Sequence, residues 1–307
     1  TPDFEDLQIN FVPESSTRLA MLMADEVHAA EIPRDIQKGA QDKGKKLITS
    51  TTPAIRLVGF FGGNFVSSRP EFDKTSPLAN PKVREAMNRA INRQELNDVF
   101  LGGNGEPMMQ THSHERFPGW EPSWLDRFDD AYGFDPDRAR ELLTEAGYPD
   151  GFDVVLTTTD VSQKLDMALA FKESVAAAGI RVEINNADPT TYWEEFWMNP
   201  CCPFIVSSWG PRPANQGLNV MFGPKTTWNE SYFSNSRLNE LLTLADAEGD
   251  FDTRKEYFRE AQEILIEEVP VLFLMHNPKI VAHRNNVRGI QVNPNLATYL
   301  IQEWWLE

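Results

Sequence analysis

The sequence predicts an α/β protein with two lobes and mixed sheets. Strand and helix patterns alternate through the first fifty residues, a second strand–helix–strand run covers residues 152–185, and a segment rich in Gly, Pro and aromatics interrupts the regular patterns between them. Alternating strands and helices build sheets with parallel neighbours. A chain of 307 residues is long enough to divide its core between two lobes.

Each element has a local reason. Phe4 to Pro13 alternates apolar and polar residues, a strand pattern. Ser15-Ser16-Thr17 precedes Arg18–Met23, which reads as a capped helix. Asp25–Ala30 reads as a short strand, Pro33 opens a helix ending near Gly44, and Leu47–Thr51 is a strand again, so a partly parallel sheet is expected here. Ala54 to Ser76 carries Gly59, Gly62, Gly63 and Pro70 and reads as a loop-rich crossing at a lobe boundary. Asn80-Pro81 caps a helix over 82–91, because Asn accepts from free helix N–H groups and Pro suits the first turn. Arg93–Phe100 is a second helix, stopped by Gly102-Gly103, and a long loop follows to Tyr132.

Asp135-Pro136-Asp137 opens the helix 138–146, which Gly147 closes. Phe152–Thr158 and Ile180–Asn185 are strands flanking an amphipathic helix, Lys164–Ala178, that ends at Gly179. Thr190–Met198 is a short aromatic helix. Phe204–Ser208 is a strand leading into Trp209, and Gly210–Asn235 is a second irregular stretch. Helices at Ser236–Ala247 and Thr253–Val269, apolar strands at Val271–Met275 and Lys279–Ala282, and a Trp-rich strand over Thr298–Leu306 complete the chain.

Composition narrows the function. There are 29 basic and 46 acidic residues, a net charge of −17. Such a surface repels phosphate backbones and argues against nucleic-acid partners. No run of eighteen apolar residues is present to span a membrane, and no basic, then apolar, signal pattern opens the chain. The two cysteines, Cys201 and Cys202, are adjacent; a disulfide between them closes a strained ring, so they read as small apolar side chains. No Gly-x-Ser-x-Gly nucleophile elbow, phosphate loop or dinucleotide fingerprint occurs, and no enzymatic activity or cofactor is expected. His112 and His114, beside Glu115, have a spacing that can ligate a metal. A third ligand is not evident, so a metal-binding protein or enzyme stays the alternative of another class.

Several blocks occur in one order along the chain: Val12-Pro-Glu-Ser-Ser-Thr-Arg-Leu-Ala20 with Asp25-Glu26-Val27; Asn80-Pro-Lys-Val-Arg-Glu-Ala-Met-Asn-Arg-Ala-Ile-Asn-Arg93; Asp135-Pro-Asp-Arg-Ala-Arg-Glu-Leu-Leu-Thr-Glu-Ala-Gly-Tyr-Pro-Asp-Gly-Phe152; Asn229 with Tyr232; Arg254 with Tyr257; and Glu268-Val-Pro-Val-Leu272. Together they resemble the family 5 extracellular solute-binding proteins, the peptide, opine, nickel and oligosaccharide receptors of ABC importers. The resemblance implies a type II periplasmic-binding-protein fold whose lobes close on a ligand. It places residues 1–55 and 276–307 in lobe I and residues 56–275 in lobe II. Known members are longer, mostly on the N-terminal side, so lobe I is expected to be incomplete.

The resemblance also singles out Phe204-Ile-Val-Ser-Ser-Trp209-Gly-Pro-Arg212-Pro213. From pattern alone Trp209 reads as a core residue; the resemblance makes it ligand-facing. In peptide-binding members an Asp follows this Trp and anchors the ligand's ammonium group. Here Arg212 stands at the matching place, and a guanidinium fork suits a carboxylate or phosphate instead, unless it pairs with Glu194 or Glu230. Tyr192, Trp193, Trp197 and Trp228 offer stacking faces or core packing. Asn229 and, in the crossing segment with Phe60 and Phe61, Asn64 are polar candidates. The expected ligand set is Trp209, Arg212, Asn229, Asn64, Tyr192 and Trp228. The implied function is a monomeric receptor at the periplasmic or extracellular face of the membrane. It captures a peptide-like or other small organic solute between the lobes, or an opine or oligosaccharide, and delivers it to an ABC permease. It meets the membrane only through that permease or a lipid anchor.

Overall fold

The computed structural model describes residues 4–33, 36–50, 54–60, 75–101, 103, 105–107, 119–124, 126, 133–161, 164–199, 204–210, 212, 214–224, 226–292 and 303–307. In chain order the elements are α1 (Ser15–Met23), β1 (Ala29–Glu31), α2 (Gln37–Asp42), β2 (Lys46–Thr49), β3 (Ala54–Phe60), α3 (Pro81–Arg89), α4 (Arg93–Leu96), β4 (Glu106–Pro107), α5 (Pro136–Glu145), β5 (Phe152–Thr159), α6 (Lys164–Ala176), β6 (Ile180–Ala187), β7 (Val206–Trp209), α7 (Ala214–Phe222), α8 (Ser236–Ala247), α9 (Phe251–Glu268), β8 (Val271–Asn277), β9 (Ile280–His283), β10 (Val287–Arg288) and β11 (Trp305–Leu306). The chain forms two compact units. One contains Thr1–Ile55, Asn97–Glu106 and His276–Glu307; the other contains Arg56–Leu96 and Pro107–Met275.

The first unit is built on the sheet β1-β9-β2. Successive side chains of a strand point to opposite faces, and β9 shows the consequence. Ala282, with its partners Ala30 and Leu47, packs against Leu22, Ile32 and Ala40 beneath α1 and α2. Val281 and Ile48 face the other way, onto Val287, Ile290 and Val292. Both pairings are antiparallel. The expected partly parallel sheet is therefore corrected: β1 and β2 do not pair with each other, because the late strand β9 lies between them. The strand expected at Phe4–Pro13 is absent. Residues 5–14 take no regular structure, and Phe11 is 93% exposed, so its alternating apolar residues meet no partner strand among the described residues. The segment Asn97–Glu106, read in the sequence as part of the middle lobe, groups with the first unit. The Asn97 amide holds it closed by donating to the Gly105 carbonyl at 3.0 Å and accepting from the Gly105 N–H at 2.8 Å.

In the second unit, β5 and β6 run parallel in register from Phe152↔Ile180 to Thr159↔Ala187, joined by α6. Gly151 and Gly179 start the two strands at φ +72° and +88°, and a Cβ on Gly151 would stand 1.8 Å from the Gly179 carbonyl oxygen. Only glycine fits so close an approach at that backbone angle. The other edge of β5 meets the segment leading into β7, where Thr157 N–H donates to the Phe204 carbonyl at 3.0 Å. β7 in turn is an edge strand beside β3, whose other neighbour is β8. Residues 271–275 of β8 are all buried, as an unbroken apolar run predicts for a strand covered on both faces. Two stretches read as irregular are ordered here: 54–60 is β3, and 214–222 is α7.

Two arginines hold α3 and α4 in place. Arg84 is buried and donates to the carbonyls of Glu268, Leu78 and Ala79 at 3.0–3.2 Å. Desolvation pulls its pKa down to about 10. Arg93, also buried, forks onto the Phe273 carbonyl of β8 at 2.9 and 2.7 Å and onto Asn88. Two helix caps are those read from the sequence: Asn80 accepts from Lys82 N–H at 3.0 Å and Asp135 from Arg138 N–H at 2.8 Å. The cap expected at Ser15–Thr17 is corrected: these residues lie inside α1, and Glu14 before them makes no side-chain cap.

Candidate ligand-binding site

β7 ends the Phe204-Ile-Val-Ser-Ser-Trp run and brings Trp209 to the start of an irregular segment. Three side chains gather there. The Arg212 guanidinium lies over the Trp209 ring, its Cζ 4.8 Å from the ring centroid. Trp228 stands beside the same ring at a centroid distance of 6.0 Å and a tilt of 54°. Trp209 itself is 8% exposed and Trp228 is 46% exposed, so the group presents Trp228 and the half-buried guanidinium to solvent, with Trp209 as their support. A cation on an indole face gains from the ring quadrupole. Burial lowers the Arg212 pKa, but a guanidinium stays charged in proteins. Arg212 donates to the Gly210 carbonyl at 3.3 Å. Neither Glu194 nor Glu230 pairs with it, and no carboxylate among the described residues does.

Glu230 is engaged elsewhere. It is 5% exposed and accepts from Trp197 Nε1–H, from Trp209 Nε1–H at 3.1 Å and from the Ser207 hydroxyl at 3.1 Å. Burial raises its pKa to about 7 against the opposing pull of these three donors and of Lys164. Lys164, the first residue of α6, is 4% exposed, with its Nζ 4.6 Å from the centroids of both Tyr192 and Trp193. Tyr192, Trp193 and Trp197 come from a single π turn, Tyr192–Phe196, and the residue after it. Their rings meet edge to face, Tyr192 to Trp193 at 5.1 Å and Trp193 to Trp197 at 5.3 Å, the arrangement ring quadrupoles favour.

The sequence candidates thus take different places. Trp209, Arg212 and Trp228 come together. Tyr192 is wholly buried, donates its hydroxyl to the Val206 carbonyl at 2.6 Å, and has its pKa raised by desolvation and by Glu230. It supports β7 from inside. Asn229 uses its amide to shape its own loop: Nδ2–H donates to the Phe233 carbonyl at 2.8 Å, and Oδ1 accepts from the Ser231 hydroxyl at 2.9 Å. Tyr232, at φ +51°, ties this loop to the end of the π turn by donating to the Met198 carbonyl at 2.7 Å. Asn64, His112, His114, Cys201 and Cys202 lie outside the described residues. Among those described, no cluster of three or more His, Cys, Asp or Glu could hold a metal ion, and no helix is long and apolar enough to cross a membrane.

Sequence reasoning raised Glu230 only as an ion-pair partner for Arg212 and missed Lys164 and Ser207 as parts of the site. Glu230 lies between two residues of the quoted Asn229…Tyr232 pair, which is a signal of position. Lys164 gives none, since a Lys at the first turn of an amphipathic helix reads as a solvated end.

The fold is that of the type II periplasmic binding proteins. The ABC transporter-associated periplasmic binding protein DppA from Helicobacter pylori, solved with the peptide STSA, matches with a TM-score of 0.78 at 22% identity, over 96% of this chain and 56% of that one. AgaA from A. tumefaciens R10, solved with agropinic acid, matches with a TM-score of 0.78 at 22% identity, over 97% of this chain and 60% of that one. The sequence model of the bacterial extracellular solute-binding proteins, family 5 (middle part), matches residues 1–229, and the chain belongs to that family. Among curated relatives, the glutathione-binding protein GsiB of Salmonella choleraesuis (strain SC-B67) is 28% identical over 314 aligned residues, 96% of this chain and 56% of the relative. The chain therefore spans about half the length of the curated relatives it matches.

Proposed function

We propose that the protein is the solute-capturing receptor of an ABC importer and that its cargo is a peptide-like acid. The observation that carries this reading is the Arg212 guanidinium, seated on Trp209 next to the exposed Trp228 and paired with no carboxylate among the described residues. A charged fork on an aromatic support recognises a ligand carboxylate by charge-assisted hydrogen bonds. The relatives named for glutathione, itself a peptide-like acid, favour the same reading, while an opine receptor is the second reading, favoured by the likeness to AgaA with agropinic acid. In this reading Trp209, Arg212 and Trp228 contact the ligand, and Tyr192 and Asn229 hold the loops that carry them. The two compact units are portions of lobe I and lobe II. The partner is the permease, the site of action is the periplasmic or extracellular face of the membrane, and the protein acts as a monomer without catalysing a reaction.

Calorimetry on the complete protein with glutathione, a dipeptide and a neutral oligosaccharide tests it. Arg212→Ala is expected to weaken acid binding by about 10- to 100-fold, the scale of a hydrogen bond to a charged group, and to leave the neutral sugar unchanged. Equal losses for acids and the neutral sugar, or none for any, would remove Arg212 from the site.

A further inference from the structure

Glu230 is the one buried carboxylate among the described residues on which the Trp209 loop and the Trp197 turn converge. Three places meet there: Trp197 follows the π turn, Ser207 and Trp209 come from β7, and Glu230 comes from the loop after α7. The two indole N–H groups can only donate, and a buried donor without an acceptor is costly. An ionised carboxylate has lone pairs for all three donors. A neutral acid turns one oxygen into a donor, and of the three partners only the Ser207 hydroxyl can turn to accept from it. The titratable and charged groups around it are the Lys164 ammonium from α6, the neutral Tyr192 phenol from the π turn, and the Arg212 guanidinium across the Trp209 ring.

We propose that Glu230 is a positioning residue for ligand capture: its carboxylate, by holding the Trp197 and Trp209 indoles and the Ser207 hydroxyl, fixes the ring on which the Arg212 guanidinium rests. The proposal rests on the reading of Trp209 and Arg212 as ligand contacts. Its consequence is that capture of an acidic ligand depends on pH near neutrality. The grip is complete when Glu230 is ionised and loosens when it takes up a proton.

The test uses the complete protein, its Glu230→Gln and Ser207→Ala variants, and glutathione as the probe, between pH 5.5 and 8.5. The near-ultraviolet dichroism of the ligand-free wild type is expected to show an indole transition near neutral pH. In Glu230→Gln that transition is absent, and the Kd for glutathione at pH 8.5 rises about tenfold, the worth of one charge-assisted bond, and no longer varies with pH. Ser207→Ala removes a donor that stabilises the ionised form, so its transition moves to higher pH; this arm stands even where Glu230→Gln does not fold. A wild-type transition that persists in Glu230→Gln, or one that Ser207→Ala does not move, overturns the proposal. If the wild type binds no acid at all while the indole transition follows Glu230, the assignment of cargo fails and the positioning role stands.

Discussion

Arg93 closes the Asn80–Arg93 block that marked the family, and its environment shows what the block is for. The side chain is buried and forks onto the Phe273 carbonyl while also reaching the Asn88 carbonyl and Oδ1. Those acceptors belong to an inner strand and a helix end that water does not reach. Truncation takes the Arg93 donors from these acceptors; the Asn88 carbonyl keeps the Ile91 N–H at 3.3 Å, and each buried group left unsatisfied costs roughly 1–3 kcal/mol. Arg93→Met is expected to lower stability by about 3 kcal/mol in urea unfolding. Arg93→Lys is expected to lose nearly as much, because a single ammonium does not reproduce a planar fork. A Lys variant as stable as the wild type would show that only the charge matters. Arg212 carries the same chemical group with the opposite environment, half-buried on an indole and turned to no internal carboxylate among the described residues. One arginine holds the fold together, and the other is the one we propose to recognise an anion.

At the scale of elements, the parts set by local chemistry were legible in the sequence. The cap at Asp135 is an example: Asp, then Pro at the first helical position, then buried Ala139, Leu142 and Leu143, and Gly147 at φ +92° after the end. Asp135→Ala is expected to cost about 1 kcal/mol of stability, the usual worth of an N-cap, seen as a lowered urea midpoint with an unchanged slope. Parts set by distant partners were not legible. The place of β9 between β1 and β2 depends on residues more than 200 positions away. In α7 the signal existed: Ala214, Gly217, Leu218, Met221 and Phe222 are buried at helical spacing, but the surrounding Pro, Gly and Asn residues read as loop. The site divides the same way. Trp209, Arg212 and Trp228 stand in one short stretch and could be singled out together. Glu230 and Lys164 acquire their roles only when α6, the π turn and β7 meet, which no local pattern records.

Across the whole molecule, pH sets two groups of carboxylates against each other. On the surface, Asp25, Glu145, Asp153 and Glu260 are held below their usual values by hydrogen bonds from Lys45, Lys82 with Arg138, Arg181 and Arg237. Their folded pKa values are depressed, so what they add is present above the unfolded value and lost as pH falls through the folded one. Each such exposed pair is worth little. Glu230 has the opposite sign. Its folded pKa is pushed from 4.5 up to about 7, so between these values the folded chain keeps a proton that the unfolded chain has released. Stability from this group is therefore full below about pH 4.5 and declines as pH rises through 7, by roughly 3 kcal/mol in total for a shift of this size. The protein is expected to be most stable on the mildly acidic side, near the window in which Glu230 is protonated and the surface pairs are still ionised. Urea unfolding at pH 5.5 and pH 8 checks this. The wild type should lose stability on going to pH 8, and Glu230→Gln should lose much less. If both respond alike, Glu230 is not the group responsible. If they differ as expected, the ionised form that best holds the aromatic support is also the less stable one, so the fold gives up stability to keep its candidate binding edge in place.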